Sequence, residues 1–563
     1  MAEEVSEGCR FVSQSVQDAV SAMQQFSSLA TRDASRRKIT LDSLDVLLDQ
    51  CLDGYGSPPI PPPAVWPKGQ ERASSYLQAL MPSLLRLSLT CPFEDVRQRL
   101  DTLLNQVKER GCGRLQVPVV TVSGPSHFIP ADEVVPADTT VEDNQSVFME
   151  AFLQNNRLEH ISQVMGYHPD YLRNFLTTQN FLLREDGPLP YEYRHYIAIM
   201  AAARHHCTYL VKLHEQDFLL HNGDPQWLKG IAHAPRKLQD LYEVNKILAH
   251  QPWLITKQHI HNLLKSPEPW SLSELMQAII LLTHFHSLCS FVYGCGINPE
   301  LDMQGFSLTQ PASPATDSDS SEANSDTGDT INVCGDEESV GLEALLARMR
   351  QLDAISSANT TSPEELLKRF HSVEHQNAEI TVPSGKNNSP RAEILRFVQD
   401  PEFSYIDFAS RDSVSEVATF RACDYSWDDH GFSLANRLYL DVGTLLDDKY
   451  NLAANLTYYT MGDNREVDTS SFRRAIWNYI HCMYGIRHDD YDYSEVNQLL
   501  ERNLKGYIKT LTCYPERLTK KDYDGVMREF KHSEKVHVNL MLMEARQQAE
   551  LLYALRALNR YMT

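Results

Sequence analysis

A chain of 563 residues is longer than one hydrophobic core usually organises, so two globular blocks with connectors are the expectation. Hydrophobic residues at 42% suffice for packed domains. A formal charge of −23 and a pI near 5.3 exclude a basic nucleic-acid footprint and attachment to anionic lipid, and they favour basic partners.

Eleven cysteines are scattered without a C-x-x-C pair or zinc spacing, which reads as reduced thiols in the cytosol or nucleus, with no metal and no cofactor. The start, MAEEVSEGCR, has no apolar signal region, and the run 278-AIILL-282 is too short to span a bilayer. The expectation is a soluble cytoplasmic protein that also enters the nucleus.

Residues 1–123 read as a poorly ordered extension with some helices. In it, 55-YGSPPIPPPAVWP-67 is a proline-rich connector. The segment 91-CPFEDVRQRLDTLLNQVKE-109 carries Phe93, Val96, Leu100, Leu103, Leu104 and Val107 at helical spacing. Residues 124–302 run as successive helices divided by turns such as 186-DGPLP-190 and 222-NGDP-225. A long apolar helix over 270–294 has Ser271 or Ser273 as its cap and Gly294 as its stop. Residues 303–393 form an acidic linker, disordered by composition, with a short helix over 340–355 and a polar stretch after it. The second block, 394–563, begins rich in aromatics and continues with helices at 440–460, 470–486, 493–513 and 533–562. Pattern alone therefore predicts an all-α protein of two packed bundles.

The stretch 196-YIAIMAAARHHCTYLVKLH-214 resembles a thiol site. Residues seven apart in a helix lie about 20° apart in azimuth and ~10 Å along the axis, so Cys207 and His214 share a face without touching, and Tyr209 could relay. A neighbouring imidazolium or a helix N-terminus would activate the thiol, and His205 and His206 would add basicity. The plain alternative is an inert core cysteine.

The segments 188-PLPYEYRHYIAIMAAARHHCTYLVKLHEQDFL-219, 248-LAHQPWLITKQHIHNLLK-265, 475-AIWNYIHCMYGIRHDDYDYSEVNQLLERNLKGYIKT-510 and 531-KHSEKVHVNLMLMEARQQAELLYALRALNRYMT-563 resemble the sestrins. The resemblance runs over about 124–302 and 394–563, with a weaker echo at 91-CPFEDVR-97. It implies a stress-induced, all-helical protein with two pseudo-symmetric halves, both alike in fold to alkylhydroperoxidase D. The N-terminal half would carry a thiol peroxidase using Cys207, Tyr209 and His214. The C-terminal half would bind free leucine and dock on the second GATOR subcomplex, restraining mTOR complex 1. The bacterial enzymes use C-x-x-C, whereas here Leu210 stands at the second-cysteine position, so a sulfenic acid on Cys207 would need a thiol from elsewhere.

The resemblance also implies the pocket: Glu534 for the ammonium, Arg473 for the carboxylate, and Thr457, Tyr458, Thr460 and Thr469 as lid and latch. His168 would reach in from the other half. The ordinary alternatives are a dipole-satisfying Glu534 in the first turn of the last helix and a surface arginine. Asp468 or Thr469 would cap the helix that carries Arg473. Met527 stands where the strongest leucine binders have tryptophan, and Phe472 where they have leucine; loss of the aromatic wall weakens binding by roughly 1–3 kcal/mol. Asp489 and Asp490 match the family's contact with the GATOR subcomplex. Two alternatives stay open: a thiol-dependent alkyl hydroperoxide reductase built on Cys207, and a scaffold with both sites vestigial.

Overall fold

The computed structural model describes residues 27–53, 70–110, 117–118, 124–303, 341–356, 361–382, 392–413, 417–456 and 459–563. The proline-rich connector, the acidic segment 304–340, Thr457 and Tyr458 lie outside these residues. Helices carry the described fold. Its strands are two residues long: Phe420–Arg421 runs parallel to Ile486–Arg487, and Thr460–Met461 antiparallel to Asn464–Arg465.

The centre is the helix Leu272–Gly294. Ser271 takes the cap: its Oγ accepts the Glu274 N–H, and Glu274 Oε2 accepts the Ser271 N–H at 2.7 Å. Every residue from Leu275 to Val292 is buried. By length and mean hydropathy (1.6) the helix could cross a membrane, but it is wholly enclosed by protein, packed against Tyr191–Arg204 and His532–Met562. Gly294 closes it, and the left-handed turn falls two residues later at Gly296 (φ 57).

One order of elements occurs twice. Helix Tyr242–His250, the 3-10 turn Pro252–Leu254, the helix Lys257–Leu264 behind Thr256, and Leu272–Gly294 make the first copy. Arg502–Cys513, the turn Pro515–Arg517, Lys520–Gly525 behind Thr519, and His532–Met562 make the second. Each 3-10 turn packs on the long helix of the other copy. The apolar core is accordingly continuous across both halves, and each large side chain fully buried in it contributes roughly 1.5–3 kcal/mol.

Buried charges lie within this shared core. Arg546, fully buried, donates to Glu550 Oε1 (2.8 Å), Ser290 Oγ (2.8 Å) and His205 Nε2 (2.7 Å). His286 bridges Glu550 Oε2 at 2.9 Å and Asn245 Oδ1 at 2.8 Å. Lys449 meets Glu544 at 2.9 Å, and Tyr171 donates to the same carboxylate. Pairing offsets the desolvation cost that isolated charges would carry there.

The N-terminal extension holds more structure than its breakers suggested. Helices Ala34–Asp53, Gln70–Thr90 and Glu94–Arg110 pack around their own leucine core, including Leu44, Leu48, Leu84, Leu100 and Leu104. Arg86 ties this unit to Asp302 at 2.9 Å. In the linker, the expected short helix is Leu342–Ser356. A second helix, Pro363–Glu379, occupies the stretch read as polar; it buries Phe370 and Val373, with Ser362 Oγ accepting the Glu365 N–H at 3.4 Å. The helix expected over 493–513 is two, Ser494–Leu499 and Arg502–Cys513, because buried Leu500 takes an extended conformation (φ −103, ψ 110) between them.

Candidate functional site

The stretch 196–214 is two helices. Tyr191–Arg204 ends, His206 takes a left-handed φ of 52, and Cys207 occupies the N-cap of Thr208–Leu220. The thiol is 1% exposed, between half-buried His206 and Thr208. A helix N-terminus favours thiolate. The imidazoles do not add to it. Burial lowers the His214 pKa to about 4, so the ring is neutral at pH 7. His205 is pushed well down by burial and by Arg546, whose N–H it accepts. The expected local basicity is therefore absent at those two rings.

Tyr209 and His214 are each engaged with other groups. Tyr209 donates to Glu300 Oε1 at 2.7 Å, and burial with that carboxylate raises its pKa well above 10. His214 Nδ1 lies 3.2 Å from His195 Nδ1. With Asp217 these two rings offer three donor atoms within 4.8 Å. Arg184 stands 3.7 Å from Asp217 and supplies a cation already.

The residues expected to form an amino-acid pocket come from three segments. Thr460, Met461, Thr469, Phe472, Arg473, Phe530, Glu534, His537 and Val538 line one cavity of about 20 Å³, room for roughly one water. Glu534 sits in the first turn of His532–Met562 and accepts the Lys531 N–H at 2.8 Å, as a cap would. It also accepts the Gly462 N–H at 3.1 and 3.0 Å and the Thr460 hydroxyl at 3.3 Å, closing the hairpin Thr460–Met461/Asn464–Arg465 over itself. Arg473 donates to Thr469 Oγ1 at 3.1 Å and to the Ala454 carbonyl. Asp468 Oδ1 accepts the Ser470 N–H at 2.8 Å, so Asp468 serves the helix start, while Thr469 holds the N-cap place with its hydroxyl turned to Arg473. A buried anion and a buried cation thus share one cavity, and their hydrogen-bond partners here are neutral groups.

His168 reaches across from the other half, donating from Nε2 to the Ser533 carbonyl at 2.9 Å; burial lowers its pKa to about 4. His537, missed in the sequence, lies 5.8 Å from His168 with its ring tilted by 57° and lines the cavity; its place one turn after Glu534 was the available signal. Met527 is placed elsewhere. It lies with Phe472 and Phe530 along an adjoining cavity of about 90 Å³, which Leu342, Leu345 and Arg348 of the linker helix cover.

The two aspartates expected to meet a partner diverge. Asp489 is ion-paired with Arg487 and, at 3.5 Å, with Arg421. Burial pushes its carboxyl up, but the bonds from Cys423 and Arg487 outweigh this and hold it below the usual range. Asp490 is exposed, in an open polar groove with Arg369, Arg474 and Asp492. Arg369, on the linker helix Pro363–Glu379, grips Asp492 at 2.5 Å.

A family model described as "PA26 p53-induced protein (sestrin)" matches residues 124–562. Sestrin-1 of Xenopus laevis is 50% identical over 457 residues, 80% of this chain and 94% of that protein. Sestrin-2 of Mus musculus is 53% identical over 445 residues, covering 78% and 91%. Sestrin-3 of Mus musculus is 49% identical over 469 residues, covering 80% and 94%. With the repeated helical halves inside the matched range, the chain belongs to the sestrin family.

Proposed function

We propose that this sestrin is a cytoplasmic and nuclear stress-response regulator that docks on the second GATOR subcomplex, restrains mTOR complex 1 and is released by free leucine. The observation that carries the leucine part is the shared cavity of Glu534 and Arg473. A zwitterion supplies the ammonium and carboxylate that those two charges lack, and Phe472, Phe530 and Val538 offer the apolar wall. The cavity has room for about one water only, so the ligand enters by displacing the hairpin from Glu534. Leu342 of the linker helix packs against Gly462 of that hairpin, and Arg348 of the same helix donates to Gln498 O beside the acidic groove. This gives hairpin movement a physical route to the Asp490 face.

Titration of the purified protein with leucine and then isoleucine, by calorimetry and thermal shift, tests the reading. Heat and a rise in Tm with leucine are expected, with a weaker response to isoleucine; silence with both sinks the sensing role.

A second reading, a thiol-dependent hydroperoxide reductase that limits oxidative stress, is favoured by Cys207 at the start of a 13-residue helix. Cys207→Ser then abolishes peroxide consumption and spares partner binding, whereas the double substitution Asp489→Ala with Asp490→Ala does the reverse. Loss of the partner complex in Cys207→Ser would refute that division of labour.

A further inference from the structure

The two halves repeat more than their order of elements. Helices Tyr191–Arg204 and Ser470–Met483 each carry an aromatic third residue, Tyr193 or Phe472, and a buried arginine fourth, Arg194 or Arg473. Two residues past each helix the backbone turns left-handed, at His206 (φ 52) and Gly485 (φ 72). The long helices Leu272–Gly294 and His532–Met562 match likewise. Trp270 or Phe530 precedes the cap, Glu274 or Glu534 stands third, and Gln277 or His537 sixth. The bonds follow the same plan. Arg473 Nη1 donates to the Ala454 carbonyl, and Arg194 Nη1 to the Leu182 carbonyl at 3.4 Å. Those carbonyls end the helices Val442–Asn455 and Pro169–Leu183, which pack on each other. Glu534, Arg473 and His537 line one cavity, so Glu274, Arg194 and Gln277 are its counterpart in the first half.

The counterpart is half satisfied. Lys237 Nζ lies 2.8 Å from Glu274 Oε1, so a cation already holds the place an ammonium would take. Arg194 has no such partner of opposite charge. It is 1% exposed, and its Nε and Nη1 donate to the carbonyls of Leu189 (2.8 Å), Glu185 (2.6 Å) and Leu182. Its Nη2 has no hydrogen-bond partner among the described residues. Two more polar groups converge there. A Cβ on Gly187 would lie 3.0 Å from Arg194 Nη2, 3.0 Å from the Tyr439 hydroxyl and 3.2 Å from Gln277 Nε2. Tyr439 comes from the second half, just as His168 reaches the Glu534 helix from the first. Glu185, Asp186 and Gly187 are exposed, so a solvent-facing loop covers the three groups.

We infer that Arg194, Gln277 and Tyr439 form a second binding site, for a small carboxylate that carries no ammonium, of the 2-oxo acid class. Arg194 Nη2 holds the carboxylate by a charge-assisted bond. Gln277 Nε2 and the Tyr439 hydroxyl donate to the remaining oxygens, the 2-oxo oxygen among them. Lys237 on Glu274 takes the acceptor that an α-amino acid needs, and its charge repels a second ammonium. Tyr193 and Trp270 stand at the positions of Phe472 and Phe530 and suit an apolar tail. The ligand enters by displacing the exposed loop. The site rests on the groups around Arg194; only its likeness to an amino-acid pocket rests on the leucine reading.

The full-length chain is titrated by calorimetry with 4-methyl-2-oxopentanoate and, separately, with leucine. The same is done for Arg473→Gln, Arg194→Gln and Gly187→Ala, each checked for folding by thermal denaturation. Saturable heat with the oxo acid is expected in the unsubstituted chain and in Arg473→Gln. Arg194→Gln weakens that binding by about ten- to hundredfold. Gly187→Ala weakens it too, by setting a methyl against the three polar groups while Arg194 stays, so the test survives if Arg194→Gln fails to fold. Leucine gives no heat in Arg473→Gln. Absence of oxo-acid heat from the unsubstituted chain, or its loss in folded Arg473→Gln, overturns the second site. So does oxo-acid heat kept in both Arg194→Gln and Gly187→Ala. Leucine heat in Arg473→Gln that Gly187→Ala then removes overturns the ammonium-free class. Silence with leucine in the unsubstituted chain, beside oxo-acid heat kept in Arg473→Gln, supports the second site and defeats the leucine reading instead.

Discussion

Both carboxylate oxygens of Glu534 accept the one N–H of Gly462, at 3.1 and 3.0 Å, from a residue 72 positions away. Gly462 takes φ +63, and a Cβ there would meet Glu529 O at 2.6 Å and Leu342 Cδ2 at 2.7 Å. The hairpin is thus latched by a charge-assisted bond at a place where only glycine fits. Glu534→Ala removes that latch and the candidate ammonium ligand together. A loss of about 1.5–3 kcal/mol in urea unfolding is expected, together with complete loss of any leucine-induced rise in Tm.

Asp489 and Asp490, the proposed partner contacts, are expected to separate on substitution. Asp490 is exposed, so Asp490→Ala changes stability by less than about 0.5 kcal/mol while weakening capture of the GATOR subcomplex. Asp489→Ala leaves Arg487, which has a buried and unsatisfied Nε, without its carboxylate, and is expected to lower Tm as well. Thermal denaturation and co-precipitation of both single variants read this directly.

Acid should destabilise the fold. His168 and His214 titrate near 4 in the folded chain because burial disfavours their charged forms, against about 6.5 when unfolded. The unfolded state then binds more protons below pH 6.5. Each ring contributes stability that is fully present above about 6.5 and lost as pH falls towards 4, on the order of 3 kcal/mol apiece. Urea midpoints between pH 7 and 4.5 are expected to fall, and to fall less steeply in His168→Gln.

The linker helix Pro363–Glu379 is part of the fold. Phe370 is fully buried and meets Tyr493 edge-on at 4.9 Å, and the Tyr493 hydroxyl accepts the His488 N–H at 3.0 Å beside the partner aspartates. Phe370→Ala is expected to cost about 3–5 kcal/mol and to weaken partner capture with the aspartates intact. Unchanged unfolding in Phe370→Ala would show that this helix is dispensable.

Much of the architecture was legible before any coordinates. The apolar spacing in 91–109, 272–294 and 532–562 marks helices because a 3.6-residue period places those side chains on a common face or, over 272–294, leaves no polar face at all. The helix at 363–379 was missed: Ser362-Pro363-Glu364-Glu365 offers a cap with proline at the first turn, but its charged composition hid a face of only a few apolar residues. The split at Leu500 carried no glycine or proline signal, since tertiary burial of Leu499 and Leu500 decides it.

By itself the sequence determined the helical class, the family and the residue types available for chemistry, because periodicity and long motifs are local properties of the chain. Only the tertiary structure decided which of those residues meet. It closed Gly462 onto Glu534, put Met527 in a neighbouring cavity, tied Asp489 to two arginines and left Asp490 free to solvent. It also neutralised His205 and His214 by burying them. Each of these depends on distances between segments remote in sequence and on the loss of water around them, and neither quantity is written in a residue's neighbours along the chain.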